Sequence, residues 1–296
     1  SLEGDCNPAH QSVNLPTAES YENKEWLWSP YREGTRWHVL IHNEFYPLDP
    51  PRCGGPLNPC WYNSVTHAVS TDSAYSFAKP GAPSHVVAPA PEVWVPPPPD
   101  FPPDRWYVTG YLGPSNIVLG PEGYYYALFR VVLYLQDWFG GACAMRTKTL
   151  DDPASWRAWD GNGFNLPMTS PYVTGTPTEV CAVLQTPAGP LMHVTDSLTY
   201  NTYLERYMLV SEWNAGVCGW HFSLSSDLVH WSDVQLITER ACTSNPPGYP
   251  SVIDHDDATT NFERPGRTPH LYYTRYHQYW LDRDLVRVPL TFTVEE

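Results

Sequence analysis

Four carboxyl side chains in this chain stand where acid–base chemistry is plausible by position. Glu44 follows the apolar run 37–41 and lies in His42-Asn43-Glu44, beside Phe45 and Tyr46. A carboxyl flanked by rings is pushed toward its protonated form, which suits a proton donor. Glu25 precedes Trp26-Leu27-Trp28-Ser29-Pro30, and Glu179 holds the matching place before Val180-Cys181-Ala182. Asp254 ends Pro250-Ser251-Val252-Ile253-Asp254. Two such groups facing one substrate can divide the work, one giving a proton while the other activates water or attacks directly. His42 is placed to orient Glu44 or to bind substrate. Trp26, Trp28, Tyr31 and Tyr111 lie near these acids as ring platforms. Arg264 and Arg267 offer bidentate contacts to a carboxylate. No metal-ligand motif, P-loop, G-x-S-x-G elbow or G-x-G-x-x-G run occurs. The chemistry requires no cofactor, although the oxygens of Asp254, Asp256 and Asp257 would suit a structural calcium.

The elements that must hold these side chains read as strands. Short apolar runs at 26–30, 37–42 and 62–70 form a first group. Further groups follow at 115–147, 179–225 and 251–294, bounded by Gly, Pro, Asn and Asp. Three groups end in related turns, Ser70-Thr71-Asp72, Thr149-Leu150-Asp151-Asp152 and Ser225-Ser226-Asp227, each followed by an aromatic residue. In each turn Asp accepts backbone N–H groups and the ring packs between sheets. With 32 prolines, a long-helix protein is excluded; 13 Trp and 20 Tyr exclude a disordered one. The expectation is an all-β, five-bladed β-propeller forming a single domain over 1–296. Residues 1–22 would be an N-terminal extension and 80–103 a Pro-rich ordered excursion.

These residues resemble the five-bladed β-propeller glycosidases, the superfamily of arabinanases, β-xylosidases and invertases. The turn Ser226-Asp227-Leu228-Val229-His230-Trp231 matches the blade ending of that group. So do Glu25-Trp26-Leu27-Trp28-Ser29-Pro30-Tyr31, His42-Asn43-Glu44-Phe45-Tyr46, Gly113-Pro114-Ser115-Asn116-Ile117-Val118 and Ser155-Trp156-Arg157-Ala158-Trp159-Asp160. The resemblance implies a secreted glycoside hydrolase with a carboxyl pair at the axial mouth, acting on a polysaccharide or oligosaccharide. The family's acids usually lie in Asp-Pro or Glu-x-Pro contexts on innermost strands, and no W-x-N-D-P motif occurs here. Two alternatives stay open: a non-catalytic carbohydrate-binding propeller, and a lyase on a uronate-containing glycan using His42, His193, Tyr273 and Arg275.

Charge and cysteines bound the setting. Seventeen Lys and Arg against 32 Asp and Glu leave a formal charge of −15, unsuited to nucleic acid or an anionic membrane. A monomer with a carbohydrate substrate is expected. Seven cysteines without a C-x-x-C point to disulfides and an extracellular location. Cys53 and Cys60 enclose a Gly/Pro loop and should be bonded. The opening Ser1-Leu2-Glu3-Gly4-Asp5 reads as the start of a mature chain.

Overall fold

The computed structural model describes residues 8–47, 53, 60–102, 107–133, 139–192, 196–213, 217–240, 242, 246–277 and 282–294. Among these residues the regular structure is almost wholly β, with one short α-helix, α1 (Pro171–Thr174), and three single 3-10 turns. The first strand group is an antiparallel meander of β1 (Lys24–Glu33), β2 (Arg36–Phe45) and β3 (Cys60–Ser70), with β4 (Val86–Ala88) on the far edge of β3. The second comprises β5 (Tyr107–Leu112), β6 (Val118–Leu119), β7 (Tyr125–Leu133), β8 (Phe139–Thr147), β9 (Arg157–Ala158) and β10 (Leu166–Pro167). Here β5 and β6 pair with opposite ends of β7, because the chain breaks at Gly113-Pro114 between them. The β5 strand also pairs in parallel with β3, joining both groups in one ten-stranded sheet. Gly110 permits this approach: its φ is +106°, and a Cβ would stand 2.1 Å from the Asn63 carbonyl oxygen.

A two-residue ladder of β11 (Gln185–Thr186) and β12 (Gly189–Pro190) precedes the third group. That group is β13 (Ser197–Asn201), β14 (Arg206–Trp213), β15 (Gly219–Ser225) and β16 (Gln235–Glu239), all antiparallel neighbours. The fourth is β17 (Gly248–Ile253), β18 (His270–Tyr276) and β19 (Arg283–Pro289). The segment 181–191, expected as two strands of the third group, instead bonds to the second. Leu184 N–H donates to the Ala142 carbonyl at 2.8 Å, and Ala142 N–H to that of Leu191 at 2.7 Å. The Cys143–Cys181 disulfide holds it there.

Three apolar layers separate successive groups. Leu40, Val65, Phe129 and Trp156 fill the first; Leu128, Leu198, Leu209 and Trp231 the second; Met208, Val210, Trp220 and Leu271 the third. Trp156 and Trp231 are thus the rings that the Asp turns deliver. Asp152 Oδ1 accepts Ala154 N–H at 3.1 Å, and Asp227 Oδ1 accepts His230 N–H at 2.8 Å. Four strand groups, and not a fifth, are seen among the described residues. The outer face of the first group is covered instead by the N-terminal segment and the excursion after β3. Phe77 packs on Val39, Ile41 and Ala68, and Asn23 N–H donates to Asn43 Oδ1 at 2.8 Å. Trp94 of the Pro-rich excursion meets Phe45, Tyr62 and Tyr107 edge-on.

The first strands of the four groups are stitched by side chains. Ser29 Oγ donates to the carbonyls of Pro114 and Ser115, at 3.0 and 2.7 Å. Asn116 engages both backbone groups of Leu198, and Ser197 Oγ accepts Val252 N–H at 3.0 Å. The long connection from β17 to β18 completes the circuit. Asn261 Oδ1 accepts Arg32 N–H at 2.7 Å, and buried Glu263 accepts the Tyr31 hydroxyl at 3.1 Å and Leu119 N–H at 2.6 Å. Its own carbonyl accepts Tyr200 N–H. Burial pushes the Glu263 carboxyl up, against the pull of those donors. Cys53–Cys60 is bonded as expected, alongside Cys143–Cys181 and Cys218–Cys242; Cys6 lies outside the described residues.

Two outcomes follow from this architecture. Glu263→Gln turns one acceptor oxygen into a donor facing Tyr31 or Leu119, so thermal unfolding should show a loss of about 1–3 kcal/mol. The second concerns His38 and His67, stacked with ring centres 5.4 Å apart and buried. Burial pushes both down, His67 to about 3. They are neutral when folded but protonate in the unfolded chain, so their stabilisation is complete above pH 6.5 and is lost toward pH 3. His67→Gln should therefore flatten the fall in denaturant-measured stability between pH 7 and 4.5 by roughly 2–3 kcal/mol. An equally steep fall in the variant would count against this account.

Candidate active site

A cavity of about 1100 Å³ opens where the first strands converge. β1 contributes Trp26, Trp28 and Pro30, β2 contributes His42 and Glu44, and β17 contributes Tyr249 and Ser251. Asn116 and the pair Asp196-Ser197 close the opposite wall, and Asn261 and Phe262 arrive from the connection that bridges the groups. Alternation along β2 explains the placement of its acid. Leu40, His42 and Glu44 share one face, so the face that packs the core near Leu40 becomes the cavity wall two and four residues later.

Glu44 is held in place. Its Oε2 accepts Trp26 Nε1–H at 2.8 Å and the Tyr46 hydroxyl at 2.7 Å. That bond and burial push the Tyr46 phenol up. Oε1 lies 3.8 Å from His42 Nδ1. His42 is buried, its Nε2 is 3.0 Å from Asn63 Oδ1, and burial pushes its pKa down against the Glu44 charge. The imidazole is therefore neutral near pH 7. The Asn63 amide donates to the Thr109 carbonyl at 3.1 Å, which leaves Oδ1 to accept from His42 Nε2–H.

The second carboxyl of the cavity is Asp196, which the strand pattern did not single out. Burial pushes it up to about 6, although the Ser211 hydroxyl donates to it and the Arg130 guanidinium is nearby. The sequence offered one signal, an acid directly before the run Ser197-Leu198-Thr199-Tyr200, the same relation Glu25 has to Trp26-Leu27-Trp28. The expectation of one strand group running through 179–225 hid it, and His193 to Thr195 lie outside the described residues.

The other expected acids lie elsewhere. Glu25 is on β1 with its side chain enclosed against Lys79 Nζ at 2.5 Å and His10 Nε2 at 3.0 Å, which hold its pKa down despite burial. It anchors the covering segments rather than a substrate, because its neighbour Trp26 takes the cavity side. Glu179 is exposed and outside the cavity. Asp254 lines a separate, smaller cavity of about 390 Å³, where it accepts Asp256 N–H at 3.0 Å and Gly266 N–H at 2.7 Å, an Asx turn. Arg264 shares that smaller cavity and lies over Tyr200 at 4.9 Å; Arg267 lies over Tyr203 at 5.2 Å. Tyr31 and Tyr111 are buried core, bonded to Glu263 and packed on Phe129 respectively. Among the described residues no cluster of three or more His, Cys, Asp or Glu suits a metal ion. Of the alternative lyase set, His42 lines the cavity, Tyr273 packs on Trp220 at 4.9 Å, Arg275 pairs with Asp284 at 2.7 Å, and His193 lies outside the described residues.

No protein-family model and no curated protein sequence matches the chain. Solved structures do. A family 117 glycoside hydrolase from the marine bacterium Zobellia galactanivorans aligns over 97% of this chain and 75% of its own, with a TM-score of 0.48 and 9% identity. An endo-arabinase from Bacteroides thetaiotaomicron aligns over 96% and 81%, with a TM-score of 0.44 and 13% identity. A glycosyl hydrolase from Bacteroides ovatus aligns over 93% and 70%, with a TM-score of 0.47 and 14% identity.

Asp196 should titrate near pH 6 in a carboxyl-selective NMR experiment. Ser211→Ala removes a donor that favours the charged form, so the midpoint should move upward. An Asp196 midpoint near 4 in the wild type would contradict the enclosure described.

Proposed function

We propose that the protein is a glycoside hydrolase with its acid–base pair formed by Asp196 and Glu44. The observation that carries this reading is the presence of both carboxyls in one aromatic-walled cavity, where burial pushes Asp196 up to about 6. A carboxyl so raised keeps its proton at mildly acidic pH and can give it to a leaving oxygen. Glu44, with one oxygen fixed by Trp26 and Tyr46, turns the other toward the cavity side of His42 and serves as base or nucleophile. This assignment gives the donor role expected of Glu44 to Asp196, and leaves Glu44 in the pair.

The arrangement of four strand groups, linked in turn by side-chain bonds among β1, the segment 114–119, β13 and β17, supports a β-propeller architecture. The connection after β17 bridges the fourth group to the first. Three disulfides support work in an oxidising, extracellular setting. The Trp and Tyr walls support a carbohydrate substrate, since rings stack on the apolar faces of sugars.

The test is a hydrolysis screen on plant, algal and bacterial polysaccharides and on aryl glycosides. On any substrate found, Asp196→Asn and Glu44→Gln should each lower kcat by about 10²-fold or more. Activity of the wild type should fall as pH rises through about 6, where Asp196 loses its proton. Full activity in both variants would remove the pair from the mechanism.

A further inference from the structure

Two aromatic residues of the cavity have a backbone conformation that aromatic residues seldom adopt. Tyr249 has φ +57° and Phe262 has φ +54°, both in the left-handed region. For a residue with a Cβ this conformation is strained, and glycine would occupy it without strain. Both side chains are also open: Tyr249 is 52% and Phe262 40% exposed. An exposed ring returns little burial energy for the strain its backbone holds, so the fold alone gives a weak reason for either residue.

The local geometry shows what the strain accomplishes. The pairing of β17 with β18 shifts register between Gly248 and Ser251, which places Tyr249 in a β-bulge. On the facing strand, β1 shifts register between Leu27 and Ser29, which places Trp28 in a second bulge. Bulges re-aim side chains, and these two bring the Trp28 and Tyr249 rings together edge-to-face with centres 5.5 Å apart. Both line the cavity beside Glu44. Phe262, from the bridging connection, lines the same cavity.

We infer that Tyr249 and Phe262 form a stacking platform that binds a sugar ring by its C–H face and sets its position relative to Glu44 and Asp196. This rests on the carbohydrate reading of the cavity and adds its specificity-determining residues. The edge of Trp28 against Tyr249 fixes the tilt of the platform, so a ligand meets a preset surface. The two rings act on binding and not on proton transfer.

Tyr249→Gly separates the platform from its alternatives, because it removes ring and strain together. If the ring is retained for a ligand, the variant unfolds at the wild-type temperature or a few degrees above it. It then binds at least about 10-fold more weakly to methyl pentosides, methyl hexosides and xylo- or arabino-oligosaccharides, read by tryptophan fluorescence and saturation-transfer NMR. Phe262→Gly should behave alike. A drop of 5 °C or more in both variants, or wild-type affinity in both, overturns the platform. Absence of saturable binding of every probe by the wild type overturns it together with the carbohydrate reading. Binding by the wild type that both glycine variants weaken, without hydrolysis of any glycoside, leaves the platform standing and removes only the hydrolase. On a hydrolysed substrate the variants raise KM with kcat nearly unchanged, unlike Asp196→Asn.

Discussion

The structure depends on how the neighbouring edges of four strand groups satisfy their polar backbone. β1, β6, β13 and β17 form no ladders with one another, yet an unpaired buried amide or carbonyl costs on the order of 1–3 kcal/mol. Short polar side chains resolve the conflict. Ser29, Asn116 and Ser197 each bond to the backbone of the neighbouring group, and Asn261 and Glu263 return the circuit from the fourth group to the first. These links are specific in position and direction, so they set the strands' relative heights. The cavity wall is made of the residues next to them, such as Trp28 beside Ser29 and Asp196 beside Ser197. The site is thus a consequence of the stitching.

The same constraint shapes the electrostatics. Enclosure near the axis pushes the Asp196 and Glu263 carboxyls up and the His42 imidazole down, because desolvation disfavours every charged form. Their neighbours then decide their roles. Glu263 has donors on both oxygens and joins three groups of strands, so its oxygens are committed to structure. Asp196 and Glu44 face the cavity and keep capacity toward a ligand. Glu25 shows the other outcome: bonds to His10 and Lys79 lower its pKa despite burial and commit it to holding the N-terminal segment and Lys79 against the first sheet.

Much of this was determined by sequence alone. Strand alternation, proline abundance and the aromatic content dictate an all-β chain. The Asp turns could be read as turns because Asp152 and Asp227 act on residues two or three positions away, a range set by local backbone geometry. Cys53 and Cys60 were legible as a pair for the same reason, since they lie only 7 positions apart. Glu44 was legible because alternation along one strand carries it to the face of His42. What tertiary structure alone decided is which acids meet. Glu25 and Glu44 sit on adjacent strands, one residue from direct register, and that offset sends them to opposite faces of the sheet. Asp196 joins Glu44 from about 150 residues away only because Asn116 and Ser197 align the groups between them, and its raised pKa exists only once water is excluded around it. Sequence spacing carries no information about that exclusion, which arises from how distant strands pack.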